Sequence, residues 1–418
     1  MNHAIILHCD LNHFYAAVEE LHQPYTRYVP MAVGGDKDKR HGIILAKNPL
    51  AKKYGIQTGE PLWQAKQKCP TLLILPARFS LYMKFSKKVM DIYKRYTDKI
   101  EPFGIDEAWL DVTSCKRLYG SGYTIAQRIS DEIKSECGLT VSIGVSNNKI
   151  YSKLGSDYKK PDAITVLDDS NIENIVYPLP VEDLLYVGRA TKLKLHRYGI
   201  KTIGDLAHTP LAFLTSHFGK WGYVLHRFSN GLEASEVKHF SHHSLVKSIG
   251  NSTTSQVDLC SLNDIKIVAT VLCESVASRL KQQNLACRTI SITMRDESLN
   301  SFTRQMSCEV PTDVTDDLIY FAMLLFKENY DVSKKYRSIG VRAEQLVSSE
   351  VAWQISMFTS IENHLRSRNI DQTVDAIRSR FGYESVKRGI SLSNLSLSDF
   401  NPKDDHVIFP FAYFKESI

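Results

Sequence analysis

The chain has 418 residues, 43% hydrophobic, 10% aromatic and 23% charged; these globular proportions exclude a disordered, collagen-like or coiled-coil chain. At roughly 150 residues per domain the length predicts two to four domains. Net charge is only +6, but residues 186–231 hold seven basic side chains (Arg189, Lys192, Lys194, Arg197, Lys201, Lys220, Arg227) against one acid, Asp205, a field that would attract a polyanion. No apolar run approaches the ~18 residues that span a bilayer, and residues 1–10 lack a signal-peptide core and cleavage site. Eight scattered cysteines include no Cys-x-x-Cys pair, so neither a disulfide framework nor a zinc site is expected. A reducing, cytoplasmic setting without membrane association is.

In chain order, residues 4–10 read as a short buried strand ending in Asp10, followed by a helix through Phe14, Val18 and Leu21. A charged loop (36–41) precedes a helix end at Lys52-Lys53-Tyr54-Gly55. Phe85, Val89, Ile92 and Tyr96 mark an amphipathic helix. Strands 100–105 and 108–112 flank Asp106-Glu107; a helix through Ile125, Ile129 and Ile133 and an alternating strand (Leu139, Val141, Ile143, Val145) follow, and strand 164–167 closes one α/β module with an insertion. Residues 181–231 read as short helices broken by Gly188, Gly199, Gly204, Pro210 and Gly219, and 233–244 as a polar linker. A small α+β domain comes next, with two helices on four strands; one strand alternates Arg288, Ile290, Ile292 and Met294. Beyond Val347 a tail with one amphipathic helix (Val374, Ile377, Phe381) is expected.

Three acids stand out. Asp10 ends a buried strand, and Asp106 and Glu107 are adjacent in the apolar hairpin Phe103-Gly-Ile-Asp-Glu-Ala-Trp-Leu110. Carboxylates are rarely buried without a partner, and a divalent cation is the usual one. Neighbours in a regular strand face opposite ways, so the pair can share ions only near a hairpin tip. With Asp10 alongside, the three can hold two Mg²⁺ ions about 4 Å apart, which activates an attacking hydroxyl and stabilises a leaving pyrophosphate. Taken alone, the acid pair also fits a solvated surface hairpin.

Three blocks carry a resemblance: His8-Cys-Asp-Leu-Asn-His-Phe-Tyr-Ala-Ala-Val-Glu19, Gly104-Ile-Asp-Glu-Ala-Trp-Leu-Asp-Val-Thr113, and Gly144-Val-Ser-Asn-Asn-Lys-Ile-Tyr-Ser-Lys-Leu-Gly-Ser-Asp-Tyr-Lys-Lys-Pro161. In order and spacing they resemble the signature blocks of the Y-family DNA polymerases, in the polymerase IV branch of Gram-positive type, and the likeness runs to about residue 350. The resemblance implies an α/β and α+β multidomain right hand. Its parts are a ferredoxin-like βαββαβ palm (1–13 and 77–167), fingers (14–76), a helical thumb with a helix–hairpin–helix (168–233), an α+β little finger (240–347) and a tail (348–418). It implies a monomeric, error-prone translesion enzyme without proofreading, using two Mg²⁺ ions, dNTP and primer–template DNA in the bacterial cytoplasm at the nucleoid. A nucleotidyl cyclase or a non-catalytic, clamp-bound scaffold are the alternatives.

By position, the resemblance makes Asp10, Asp106 and Glu107 the metal ligands, with the Leu11 carbonyl completing one site. Tyr15, beside Phe14, takes the place of the steric gate against a ribose 2′-hydroxyl, and Lys160 that of a triphosphate-binding lysine. The fingers depart from the family pattern: Ala46, Pro49 and Lys52 stand for Thr, Tyr and Arg, and Lys52 lacks the arginine's bidentate fork. Lys47 is the nearby residue that can compensate. Gly188, followed by Arg189, Lys192 and Lys194, resembles a helix–hairpin–helix whose turn and helix N-terminus bind a DNA phosphate. Lys247, Arg295, Arg304 and Arg337 are the expected DNA contacts of the little finger. Gln354-Ile355-Ser-Met357-Phe358 resembles the peptide by which bacterial polymerases hold the sliding clamp, a reading weighed against simple packing on the little finger.

Overall fold

The computed structural model describes residues 4–35, 42–233, 235–242, 245–350 and 361–401, and the chain divides into two compact units between His242 and His243. The first unit runs β1 (Ile6–Leu11), α1 (Phe14–His22), β2 (Met31–Gly34), β3 (Ile44–Lys47), α2 (Pro49–Lys53), α3 (Leu62–Lys68), β4 (Leu73–Pro76), α4 (Phe79–Lys94), β5 (Ile100–Pro102), β6 (Glu107–Asp111), α5 (Lys116–Tyr119), α6 (Gly122–Cys137), β7 (Val141–Ser146), α7 (Lys149–Tyr158) and β8 (Ile164–Val166). Short helices follow: α8 (Ile172–Ile175), α9 (Arg189–Arg197), α10 (Ile203–His208), α11 (Leu211–Phe218) and α12 (Lys220–Ser229).

Five of these strands form a sheet in the order β5-β6-β1-β7-β8. β1 is antiparallel to β6 and β7, and β8 adds parallel to β7; without β8 this is the expected βαββαβ arrangement. β1 is buried along its whole length, which is why it reads as an apolar run rather than an alternation. Leu7 and Cys9 face α4 and α6, which contribute Val89, Ile92 and Tyr93, and Ile125, Ile129 and Ile133, to the main core. The other face meets α7. Gly144 of β7 permits the contact: a Cβ there would lie 1.9 Å from the Ser152 carbonyl oxygen. The far side of α7 supplies Ile150, Tyr151 and Leu154 to a second core, built with Val181, Leu195, Leu206, Leu214 and Leu225 of the small helices.

The insertion has a sheet of its own, β3-β2-β4, over a small core that includes Ile44, Ile56, Leu62 and Leu72. α1 instead turns Phe14, Ala16 and Val18 into the main core. The charged stretch before His242 is not a loose linker. Val237 is buried against Ile6 and Trp109, and the Phe240 amide donates to the Asp98 carbonyl at 2.9 Å.

The second unit comprises β9 (Ser248–Leu259), α13 (Leu262–Gln282), β10 (Leu285–Asp296), β11 (Ser301–Thr312), α14 (Thr315–Asn329), β12 (Tyr336–Ser348), α15 (Ile361–Phe381) and α16 (Leu395–Ser398). Its four strands are antiparallel, ordered β11-β10-β12-β9, and α13 and α14 pack on Ile290, Ile292, Met294, Ile339 and Val341. The alternation expected from Arg288 onward breaks at an irregularity between Cys287 and Thr289, leaving Cys287 buried and Arg288 exposed.

The expected free tail is corrected between residues 361 and 401. Leu397 is buried in the second unit's core, with Ile390 and Phe400 against it. α15 attaches through polar side chains. Asp371 accepts from the Thr315 amide at 2.7 Å and pairs with Lys281 at 3.3 Å, Arg368 holds Asp313 at 2.9 Å, and Arg378 and Arg388 meet the buried Glu274 at 3.1 and 3.2 Å. Phe381, expected on an apolar face, is 66% exposed.

Candidate active site

The β5–β6 turn, β1 and α7 bring the predicted acids together. Asp10 lies opposite Glu107 in the β1–β6 register. Asp106 sits just before β6, where the strand has broken down, and its carbonyl accepts from the Leu11 amide at 3.0 Å. Gly104 leaves room for its carboxylate, since a Cβ there would stand 3.1 Å from Asp106 Oδ1. This is the hairpin-tip geometry that lets adjacent acids serve one site.

A residue absent from the sequence reading lies between them. Lys153 Nζ is 3.1 Å from Asp10, 2.6 Å from Glu107 and 3.3 Å from Asp157. Lys160 joins Asp10 at 2.6 Å and Asp157 at 2.7 Å. The expected triphosphate lysine thus faces the carboxylates directly. Burial works against the charge of both lysines, but Asp10 and its acidic neighbours outweigh it and push both pKa values up. α7 is fixed at its start by Lys149 with Glu101 at 2.6 Å and by Trp109 Nε1 donating to the Lys149 carbonyl at 3.0 Å. Lys153 lies one turn further on; nothing in the sequence separates it from a solvent-facing lysine except its i+4 spacing from Lys149.

The carboxylates remain electrostatically crowded. Burial, then the charges of Glu107 and Asp10, raise the Asp106 pKa to about 7. At Glu107 burial opposes ionisation, but His8 and Lys153 overcome it and bring the carboxyl down to about 2. His8 is buried, with Nε2 3.3 Å from Glu107 and Nδ1 2.8 Å from Ser156 Oγ; burial lowers its pKa. Among the described residues no three His, Cys, Asp or Glu side chains already converge as a metal cage; an ammonium stands where Asp10 and Glu107 meet. The donor set still fits a hard divalent cation: Asp10 and Glu107 share a position that already accommodates a cation, and Asp106 adds a third carboxyl beside them.

Tyr15 stacks on Tyr82 with centroids 4.6 Å apart and lies edge-on to Phe79 at 5.9 Å. It is half-buried, and burial followed by the Asp106 charge lifts its phenol to about 12. Phe14 is 2% exposed and packs in the main core. In the insertion, Ala46 is partly buried on β3 and Lys52 exposed on α2. Lys47 donates to Thr58 at 3.2 Å, and burial and then the nearby Lys52 charge lower its pKa. Pro49 occupies the first turn of α2 behind Asn48, whose side chain caps the Ala51 amide at 2.9 Å. Its missing N–H therefore costs the helix nothing.

Residues 9–157 match the impB/mucB/samB family and residues 246–357 the C-terminal domain of that family, while 182–233 match the thumb domain of DNA polymerase-iota. DNA polymerase IV of Acetivibrio thermocellus is 47% identical, covering 94% of this chain and 99% of that protein. DNA polymerase IV of Clostridium acetobutylicum is 36% identical, covering 93% and 98%. The chain belongs to the Y-family DNA polymerases. A solved Y-family DNA polymerase chimera, Dbh-Dpo4(243-245)-Dbh, shares the fold at a TM-score of 0.71 and 24% identity, covering 82% of this chain and 99% of that one. The polymerase is thus a DNA-directed DNA polymerase of the translesion class with palm, fingers, thumb and little finger.

Its thumb corrects the expected turn. Gly188 caps α9 in ordinary extended backbone; the left-handed residue is Tyr186, at φ +71°. Lys192 pairs with Glu182 at 2.5 Å and Lys194 donates to the His217 carbonyl at 2.5 Å. Arg189 is exposed, with no ion pair among the described residues. In the little finger, Lys247 is exposed just ahead of β9, and Arg337 is half-buried beside the register shift at Tyr336–Ser338. Arg295 lies opposite Ser301 and Ser338, whereas Arg304 lies opposite the buried Ile292, so the two point to different faces of the sheet. Arg342, opposite Ser291, is exposed on the Arg295 face. Gln354, Ile355, Met357 and Phe358 lie outside the described residues.

Proposed function

We propose that Asp10, Asp106, Glu107 and the Leu11 carbonyl hold two Mg²⁺ ions for template-directed nucleotidyl transfer from dNTP to a primer 3′-hydroxyl. The observation that carries this is the single cation position shared by Asp10 and Glu107, at 3.1 and 2.6 Å from Lys153 Nζ. The bound ions would lower the pKa of the attacking hydroxyl and neutralise charge on the leaving pyrophosphate. Lys160, with Lys47 and Lys52 of the fingers, binds the triphosphate as point charges. Tyr15, braced by Tyr82, excludes a 2′-hydroxyl at the sugar. Arg189, with Gly188 leaving open space at the start of α9, and the basic face of the little finger hold the primer–template backbone.

The domains are assigned as palm 1–13 and 77–167, fingers 14–76, thumb 168–233 and little finger 240–347. The enzyme is a monomer of the bacterial cytoplasm, working at the nucleoid; among the described residues no helix is long and apolar enough to cross a membrane. Residues 354–358 tether it to the sliding clamp, which raises its local concentration at primer ends. Primer extension with Mg²⁺ and four deoxynucleotides tests the central reading. Asp106→Asn or Glu107→Gln is expected to abolish extension while primer–template affinity stays within a few-fold; near-normal extension by either would overturn the metal assignment.

A further inference from the structure

The thumb hairpin contains a residue that backbone sterics disfavour. At φ +71° Tyr186 occupies the left-handed region, where glycine is the low-cost choice and a bulky side chain is an outlier. Tyrosine thus stands where the turn favours glycine. Its ring is not there to fill a core. Tyr186 is 54% and Trp221 55% exposed, and their centroids are 5.8 Å apart, with Phe228 packed behind Tyr186 at 6.1 Å. Exposed cations flank the pair: Arg189 three residues along, and Lys220 next to Trp221. Arg227 lies over the neighbouring Tyr223 at 5.8 Å. Strained positions of this kind cluster at ligand contacts, and aromatic faces set among basic side chains suit nucleic acid.

We propose that Tyr186 and Trp221 form an aromatic platform that packs against deoxyribose faces of the primer–template duplex, beside phosphates contacted by Arg189 and Lys220. This rests on the reading of the thumb as a DNA grip. An aromatic–sugar contact releases no counterions, so it adds affinity without adding to the salt dependence, whereas each phosphate contact contributes about one unit of slope.

The test measures primer–template affinity over a range of salt concentrations for three variants. Tyr186→Gly suits the backbone and should melt no lower than the parent; it is expected to weaken binding about five- to tenfold at every salt concentration with the slope unchanged. Tyr186→Phe keeps the ring and should bind like the parent. Arg189→Ala should reduce the slope by about one. If Arg189→Ala leaves the slope unmoved, the thumb reading fails and the platform with it. If Arg189→Ala behaves as expected but Tyr186→Gly binds like the parent, only the platform is overturned. A second readout does not depend on stability: duplex DNA should change the tryptophan fluorescence of the full chain, and Trp221→Phe should remove most of that change. An equal change in Trp221→Phe would overturn the platform.

Discussion

Tyr15 has one ring face on Tyr82 and its edge on Phe79, so it cannot retreat from a sugar placed over the acids. Tyr15→Ala removes a wall rather than an attraction, and ribonucleotide incorporation relative to deoxynucleotide is expected to rise roughly a hundredfold. Competition assays with paired rNTP and dNTP check this; an unchanged ratio places the gate elsewhere. Lys153 allows a test that needs no turnover. With its ammonium gone, Asp10 keeps Lys160 but Glu107 loses its lysine partner, and Lys153→Met should lower the melting temperature in EDTA by on the order of 5 °C. Mg²⁺ should then raise the melting temperature of the variant more than that of the parent, because binding to the folded state alone stabilises it. An equal Mg²⁺ shift in both proteins would show that the lysine and the metal do not share a position. The acids were legible in the sequence because a buried carboxylate demands a partner. Lys153 was not, since a lysine on an amphipathic helix ordinarily meets water. Phe14 and Tyr15 part ways for a related reason, since consecutive helical residues point about 100° apart and only Phe14 turns fully into the core.

The approach of α7 to the sheet is set by a glycine. A methyl group at Gly144 would collide with backbone rather than with a movable side chain, so Gly144→Ala should cost roughly 1–3 kcal/mol or more. Because Lys149 and Lys153 ride on the displaced helix, extension should fall together with stability. Denaturant melts and primer extension on one preparation check this; a variant as stable as the parent would mean that α7 can slide without cost. The palm elements were readable from period and burial: β1 is an apolar run, while the helix through Phe85, Val89 and Ile92 and the one through Ile125, Ile129 and Ile133 keep one face to the core. The Cys287–Thr289 irregularity was not readable, because a bulge leaves the residue types of an alternating strand in place. The helix α15 was readable through Val374, Ile377 and Phe381, but its docking was not: the contacts are made by Asp371, Arg368 and Arg378, and apolar periodicity does not report such a face.

At the scale of the whole molecule, each unit has its own core, and the second draws on chain beyond the family's C-terminal domain match at residue 357. Among the described residues, Glu274 has Arg378, Arg388 and Tyr383 as side-chain partners, all from after that point. A chain ending at residue 350 would keep every strand of the little finger yet lose these partners together with the buried Leu397, and the leucine alone is worth roughly 2–5 kcal/mol. Its second unit should melt well below that of the full chain, and Glu274→Gln should destabilise the long form while leaving the short one nearly unchanged. Equal melting of the two lengths would show that residues 361–401 add nothing. For anyone cutting this polymerase into pieces, the boundary of the little finger is therefore set by Leu397 and the partners of Glu274 and not by the last strand: a gene segment for this domain should run to about codon 401.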